Sequence, residues 1–166
     1  MNYRRSRAEG AAFFFTVVTE HRRGIFSSFE NINLIELALA HVKRKHPFQM
    51  DAFVILPDHI HCIWTLPEGI DDFSTRWRLV KSYFTKKSMT NGKIWQDRFW
   101  EHQIRDGSDL ARHVEYIHYN PVKHGYARSP IEWGHSSFRE FVKKGIYQPD
   151  WGAGKCIQFD SMVGSE

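Results

Sequence analysis

The sequence predicts an α+β domain: a four-stranded antiparallel sheet with helices on one face and an extra C-terminal helix near the other. Three observations lead there. The 166 residues suit one domain around one hydrophobic core. Apolar residues make up 42% and charged residues 25%, close to globular averages. Hydrophobic periods of two and of 3.6 residues follow one another in the order strand, helix, strand, strand, helix, strand, helix.

The chain opens on a short basic arm, Tyr3-Arg4-Arg5-Ser6-Arg7. The run Phe13-Phe14-Phe15-Thr16-Val17-Val18 is aromatic and β-branched, which suits a buried strand. Leu34, Leu37, Ala38 and Val42 then recur at helical spacing, so a helix is expected over 33–45, stopped by Pro47. Two strands follow, over 50–56 and 59–66, joined by a tight turn at Pro57-Asp58. In the second, Ile60, Cys62, Trp64 and Leu66 point one way. His59, His61, Ile63 and Thr65 point the other. Phe73, Trp77, Val80 and Phe84 mark an amphipathic helix that Asn91-Gly92 ends. A short strand is expected over 102–105. A last helix starts at Ser108, a good N-cap residue, and stops at Asn120-Pro121.

The first six elements match the split β-α-β pattern of ferredoxin-like and RRM-like folds. That pattern leaves one sheet face open, and His59 and His61 fall on it. One domain is expected over 1–150. The Gly/Ser-containing end, 151–166, is expected to be a loose tail, with folding over the site as the alternative.

The bulk properties narrow the function. A net charge of +4 is compatible with a nucleic-acid partner without requiring one. Cys62 and Cys156 form no CxxC pair, which argues against a disulfide framework or a cysteine-rich zinc site. No apolar run is long enough to span a bilayer, and no GxxxxGK phosphate loop is present. A cytoplasmic protein is the expectation.

An H-x-H pair on a strand directs two nitrogen ligands at one point, as a metal site needs, although packing alone also produces such pairs. On the last helix, Leu110, Val114 and Ile117 form a core stripe. His113, Tyr116 and Asn120 form a second, polar stripe. If that helix crosses the open sheet face, Tyr116 and Asn120 confront the two histidines. The plainer reading makes Tyr116 an ordinary helix residue and Asn120-Pro121 a turn.

Three motifs then occur in order. Pro57-Asp58-His59-Ile60-His61 resembles the HUH signature, two histidines flanking a bulky apolar residue. Trp95-Gln96-Asp97-Arg98-Phe99-Trp100-Glu101-His102 comes next, followed by Ile104-Arg105-Asp106. Tyr116-Ile117-His118-Tyr119-Asn120-Pro121-Val122-Lys123-His124-Gly125 is the third. Together they resemble the REP-associated branch of single-tyrosine HUH transposases over residues 3–151, nearly the whole chain. The resemblance implies an enzyme that cuts and rejoins single-stranded DNA folded into hairpins. It makes Tyr116 the nucleophile, linked to the 5′ end, with a free 3′ hydroxyl released. It makes His59, His61 and Asn120 the ligands of Mg²⁺ or Mn²⁺. Many relatives carry Gln at the third ligand position, and Asn120 is one methylene shorter. The resemblance further implies action on repeats of the host genome, as a monomer or a homodimer.

DNA contacts are expected from Arg4, Arg5 and Arg7, then from Lys81, Lys86 and Lys87 on the second long helix. His113 and His118 are candidates for support of the site or for phosphate contact. Trp95 and Trp100 are candidates for base stacking or for the core. Three other readings compete. An RRM-like module would stack bases on strand aromatics, but no RNP1 pattern is present. A hairpin binder of transposase descent would bind without cutting. A metal nuclease would use water, leaving Tyr116 incidental.

Overall fold

The computed structural model describes residues 10–164. Arg4, Arg5 and Arg7 lie outside the described residues. The central strand is β1, Ala12–Val18. Helix α1, Phe29–Lys45, follows, then β2, Gln49–Ile55, and β3, His59–Thr65. Helix α2 is Phe73–Lys87, β4 is Trp100–Gln103, and α3 is Gly107–Lys123. A short helix α4, Phe138–Lys143, lies in the region expected to be turn-rich. The strands form one antiparallel sheet in the order β2-β3-β1-β4. That is the ferredoxin-like arrangement the element order predicts.

Alternation decides what each sheet face packs against. Phe13, Phe15 and Val17 of β1 join Ile60, Cys62 and Trp64 of β3 beneath α1 and α2. All four residues of the expected α2 stripe, Phe73, Trp77, Val80 and Phe84, are fully buried there. The Trp64 and Trp77 rings stack at 4.4 Å. Each such buried aromatic contributes about 2–3 kcal/mol through loss of apolar surface to water.

The face that the pattern leaves open is covered. Phe14, Ala52, Val54 and Ile63 pack beneath Tyr116 and Ile117 of α3, with Val163 from the end of the chain. Where a loose tail is expected, Phe159 and Val163 lie in this second core, because both are apolar and the helix offers them an apolar groove. No helix among the described residues is long and apolar enough to cross a membrane.

Helix α3 departs from expectation at both ends. Asp106 caps it, accepting from the Asp109 amide at 2.7 Å, so it starts just before the expected Ser108. It also continues past Asn120-Pro121 to Lys123. Pro121 removes one backbone donor, but so near the end that the last turn closes anyway, with the His124 amide bonded to the Asn120 carbonyl at 3.0 Å. That extra turn carries Lys123 onto the Tyr116 face.

Candidate active site

Strand β3 places His59 and His61 on the α3 side of the sheet, with ring centroids 4.7 Å apart. Both are buried. Each is oriented through its Nδ1. His59 Nδ1–H donates to Asp58 Oδ1 at 2.6 Å, across the turn that starts the strand. His61 Nδ1 shares a hydrogen bond of 2.8 Å with Thr16 Oγ1, its direct cross-strand partner on β1. The bond from His59, aided by Arg22 at 3.2 Å, holds the Asp58 carboxyl down to about 2 despite partial burial. Asp58 is therefore a fixed acceptor at neutral pH, and His59 keeps the tautomer that leaves Nε2 facing α3.

Helix α3 brings the other two groups. Asn120 is buried, with Oδ1 3.3 Å from His59 Nε2. The Tyr116 ring lies edge-on to His61 at 5.3 Å and is only 3% exposed. His59 Nε2 and Asn120 Oδ1 face each other across 3.3 Å. Two imidazoles and one amide oxygen at this point form a donor set that fits a divalent metal.

Several neighbours escape a reading of the sequence. The His124 ring packs edge-on against His59 at 5.1 Å. Lys123 Nζ donates to Tyr116 Oη at 3.0 Å. Thr16 is visible only once β1 is paired with β3. The end of the chain covers the tyrosine: the Phe159 ring lies 5.3 Å from that of Tyr116. Gly164, at φ +76°, passes so close that a Cβ there would collide with the Tyr116 ring.

The remaining expected residues do not gather here. Lys81, Lys86 and Lys87 belong to α2, on the opposite face of the sheet. Lys81 is half-buried, donating to the Gln96 carbonyl at 3.1 Å, while Lys86 and Lys87 are exposed. Trp95 is a core residue and Trp100 is exposed at the sheet edge. His118 is buried elsewhere, 2.8 Å from Ser137 Oγ and 3.2 Å from Tyr147 Oη, and burial pulls its pKa down to about 3.

His113 belongs to a second cluster. His102, Asp109 and His113 have ligand-type atoms within 4.8 Å of one another and could hold a metal. The Asp109 carboxylate already accepts from His102 Nε2 at 2.8 Å and from the Arg105 amide at 2.9 Å. The guanidinium of Arg105 at 3.4 Å and that of Arg112 at 3.6 Å complete its surroundings. His113 Nδ1–H is spent on the Asp109 carbonyl at 2.8 Å. A cation here would displace positive charge already in place.

No family model matches the chain. A REP-associated tyrosine transposase of Escherichia coli (strain K12) is 45% identical over 159 residues, 96% of this chain and 94% of that protein. A Haemophilus influenzae relative of the same kind is 41% identical over 175 residues, 98% of this chain and 99% of that one. The solved structure of a REP-associated tyrosine transposase bound to a REP hairpin superposes with a TM-score of 0.86 at 44% identity, covering 100% of this chain and 98% of the other. With near-complete coverage, this identity and the same fold, the chain belongs to the REP-associated tyrosine transposases.

Proposed function

We propose that this chain cleaves and rejoins single-stranded DNA at hairpin repeats, with Tyr116 as nucleophile and a divalent metal held by His59, His61 and Asn120. The observation that supports this most is the meeting of those four side chains at one buried point, drawn from two elements far apart in sequence. A relative bound to a REP hairpin supports hairpin DNA as the partner.

Asp58 and Thr16 fix both imidazoles through Nδ1, so each turns Nε2 toward the ligand position. Asn120 adds an amide oxygen. Nitrogen-rich ligation suits Mn²⁺ better than Mg²⁺. When bound, the metal supplies Lewis acidity at the phosphoryl oxygens. Tyr116 Oη attacks the phosphorus, the bond to O3′ breaks, and the 5′ phosphate stays on the tyrosine. The phosphotyrosine bond conserves the energy of the phosphodiester, so rejoining needs no nucleotide cofactor. Lys86 and Lys87, the N-terminal Arg4, Arg5 and Arg7, and more weakly Lys81, are candidates for contacts to the hairpin's phosphates.

The test is a REP-type hairpin oligonucleotide with an unpaired flank, incubated with the protein and Mn²⁺ or Mg²⁺ and run on a denaturing gel. A protein–DNA adduct that disappears in Tyr116→Phe is the expected result. Cleavage that persists in Tyr116→Phe rules out the covalent route and favours attack by water. Tight hairpin binding without cleavage under either metal favours a binder that has lost catalysis.

A further inference from the structure

Lys123 stands seven residues after Tyr116, two turns along α3 and on the same face. Its ammonium donates to Tyr116 Oη at 3.0 Å and lies 4.9 Å from the ring centroid. The tyrosine is buried, while Lys123 reaches in from an exposed position. A cleft of about 540 Å³ opens beside them, lined by Tyr116, Lys123, Tyr119, Phe159 and Ser161. The charge therefore sits at the phenolic oxygen and also beside open space large enough for a phosphate group.

We propose that Lys123 is a catalytic residue, whose ammonium aims Tyr116 Oη and balances the charge that passes between that oxygen and the phosphate. The inference rests on Tyr116 being the nucleophile. In cleavage the Oη–P bond forms and the P–O3′ bond breaks. The phenolic proton goes to water, and O3′ takes a proton from water. In rejoining the 3′ hydroxyl attacks and gives its proton to water, the O3′–P bond forms, the Oη–P bond breaks, and the tyrosine oxygen leaves as an anion that takes a proton from water. In this role Lys123 acts by charge and position and not as a base. A lysine that served only to cover the ring would do the same for folding, but nothing for the rate of bond exchange.

The experiment compares Lys123→Met, Lys123→Gln, Lys123→Arg and Tyr116→Phe with the parent protein. It measures single-turnover adduct formation at saturating hairpin with Mn²⁺, together with hairpin affinity, Mn²⁺ affinity and Tm. Removing the charge in Lys123→Met should slow adduct formation roughly 100-fold, with both affinities and Tm unchanged. Lys123→Gln should match it, and Lys123→Arg should recover most of the rate. Rejoining of isolated adduct by a strand with a free 3′ hydroxyl should slow as well. Wild-type rates in Lys123→Met and Lys123→Gln, beside a dead Tyr116→Phe, overturn the role of Lys123 and leave the proposed function intact. A loss explained wholly by weaker hairpin binding makes Lys123 a DNA contact and also overturns it. If Lys123→Met lowers Tm, the Gln and Arg pair decides, since both keep a polar side chain and only one keeps the charge. Cleavage in Tyr116→Phe overturns the nucleophile and this inference together.

Discussion

Two histidine clusters share one stripe of α3, separated by the Phe14 ring. That ring lies 5.5 Å from His61 on one side and 4.9 Å from His113 on the other. At the His59/His61 end, Nδ1 partners hold the rings, and nitrogen and oxygen lone pairs converge. At the His102/His113 end, the rings stack at 4.6 Å and 13°, and the central carboxylate is surrounded by His102, the Arg105 amide and two guanidinium groups. Residue types alone make the second cluster look like the better metal site, since it holds a carboxylate. Their surroundings separate them. The first cluster meets Tyr116 and Asn120 and is the one proposed to take a metal, and the second uses its carboxylate to fasten the start of α3 to β4. The hub thereby sets where Tyr116 and Asn120 fall, one and two turns further along.

The comparison can be broken at either end. The largest effect is expected at the first: His61→Ala should lower Mn²⁺ affinity and adduct formation by more than about 100-fold, and it should also lower Tm, because it leaves a cavity and strands the buried Thr16 hydroxyl. Titration calorimetry and the gel assay read this, and an unchanged Mn²⁺ affinity would move the metal elsewhere. At the second end, Asp109→Asn should cost about 1–3 kcal/mol, because it weakens the buried acceptor that His102 and the Arg105 amide share, and should lower Tm by roughly 2–12 °C. Mn²⁺ affinity should not follow. If it falls in step with that of His61→Ala, the hub is a ligand site after all.

A smaller effect sharpens the link between Asp58 and His59. Asp58→Asn should weaken Mn²⁺ binding by about 10- to 100-fold, with little change in Tm. The smallest is the hub's share of a pH dependence to which His118 and Asp58 also contribute. Burial alone would raise the Asp109 pKa, but His102 and the amide and guanidinium of Arg105 outweigh it and hold the carboxyl well below the usual range. Its contribution is therefore present above the ordinary carboxylate pKa of about 4 and lost as pH falls below it. Burial lowers the pKa of His113, so below its ordinary value of 6.5 the unfolded chain takes up a proton more readily than the fold does. Stability should then decline from about pH 6.5 downward and more steeply below about pH 4. Tm measured from pH 8 to pH 3 should show both limbs, and Asp109→Asn should flatten the lower one.

Much of this is legible in the residues. The strand alternation at 59–66 assigns both histidines to one face, and Phe73, Trp77, Val80 and Phe84 give the buried stripe of α2, although the helix ends at Lys87, before the expected Asn91-Gly92. The three motifs point to the family. The partners are not legible. Thr16 reaches His61 only through strand pairing across 45 positions. Lys123 is hidden because Asn120-Pro121 reads as a helix end, whereas burial of Pro121 and closure of the last turn carry the helix on. The end of the chain looks loose from its glycines and serines, yet Phe159 and Val163 find an apolar groove.

The histidine pair and the tyrosine were thus present in the sequence as a pattern, because periodicity is a local property of the backbone and needs no partner to be read. Which of the two histidine clusters meets Tyr116 and Asn120, and which surrounds the Asp109 carboxylate, only the tertiary structure decided. Hydrogen-bond saturation depends on atoms that distant segments supply, and no spacing rule records them.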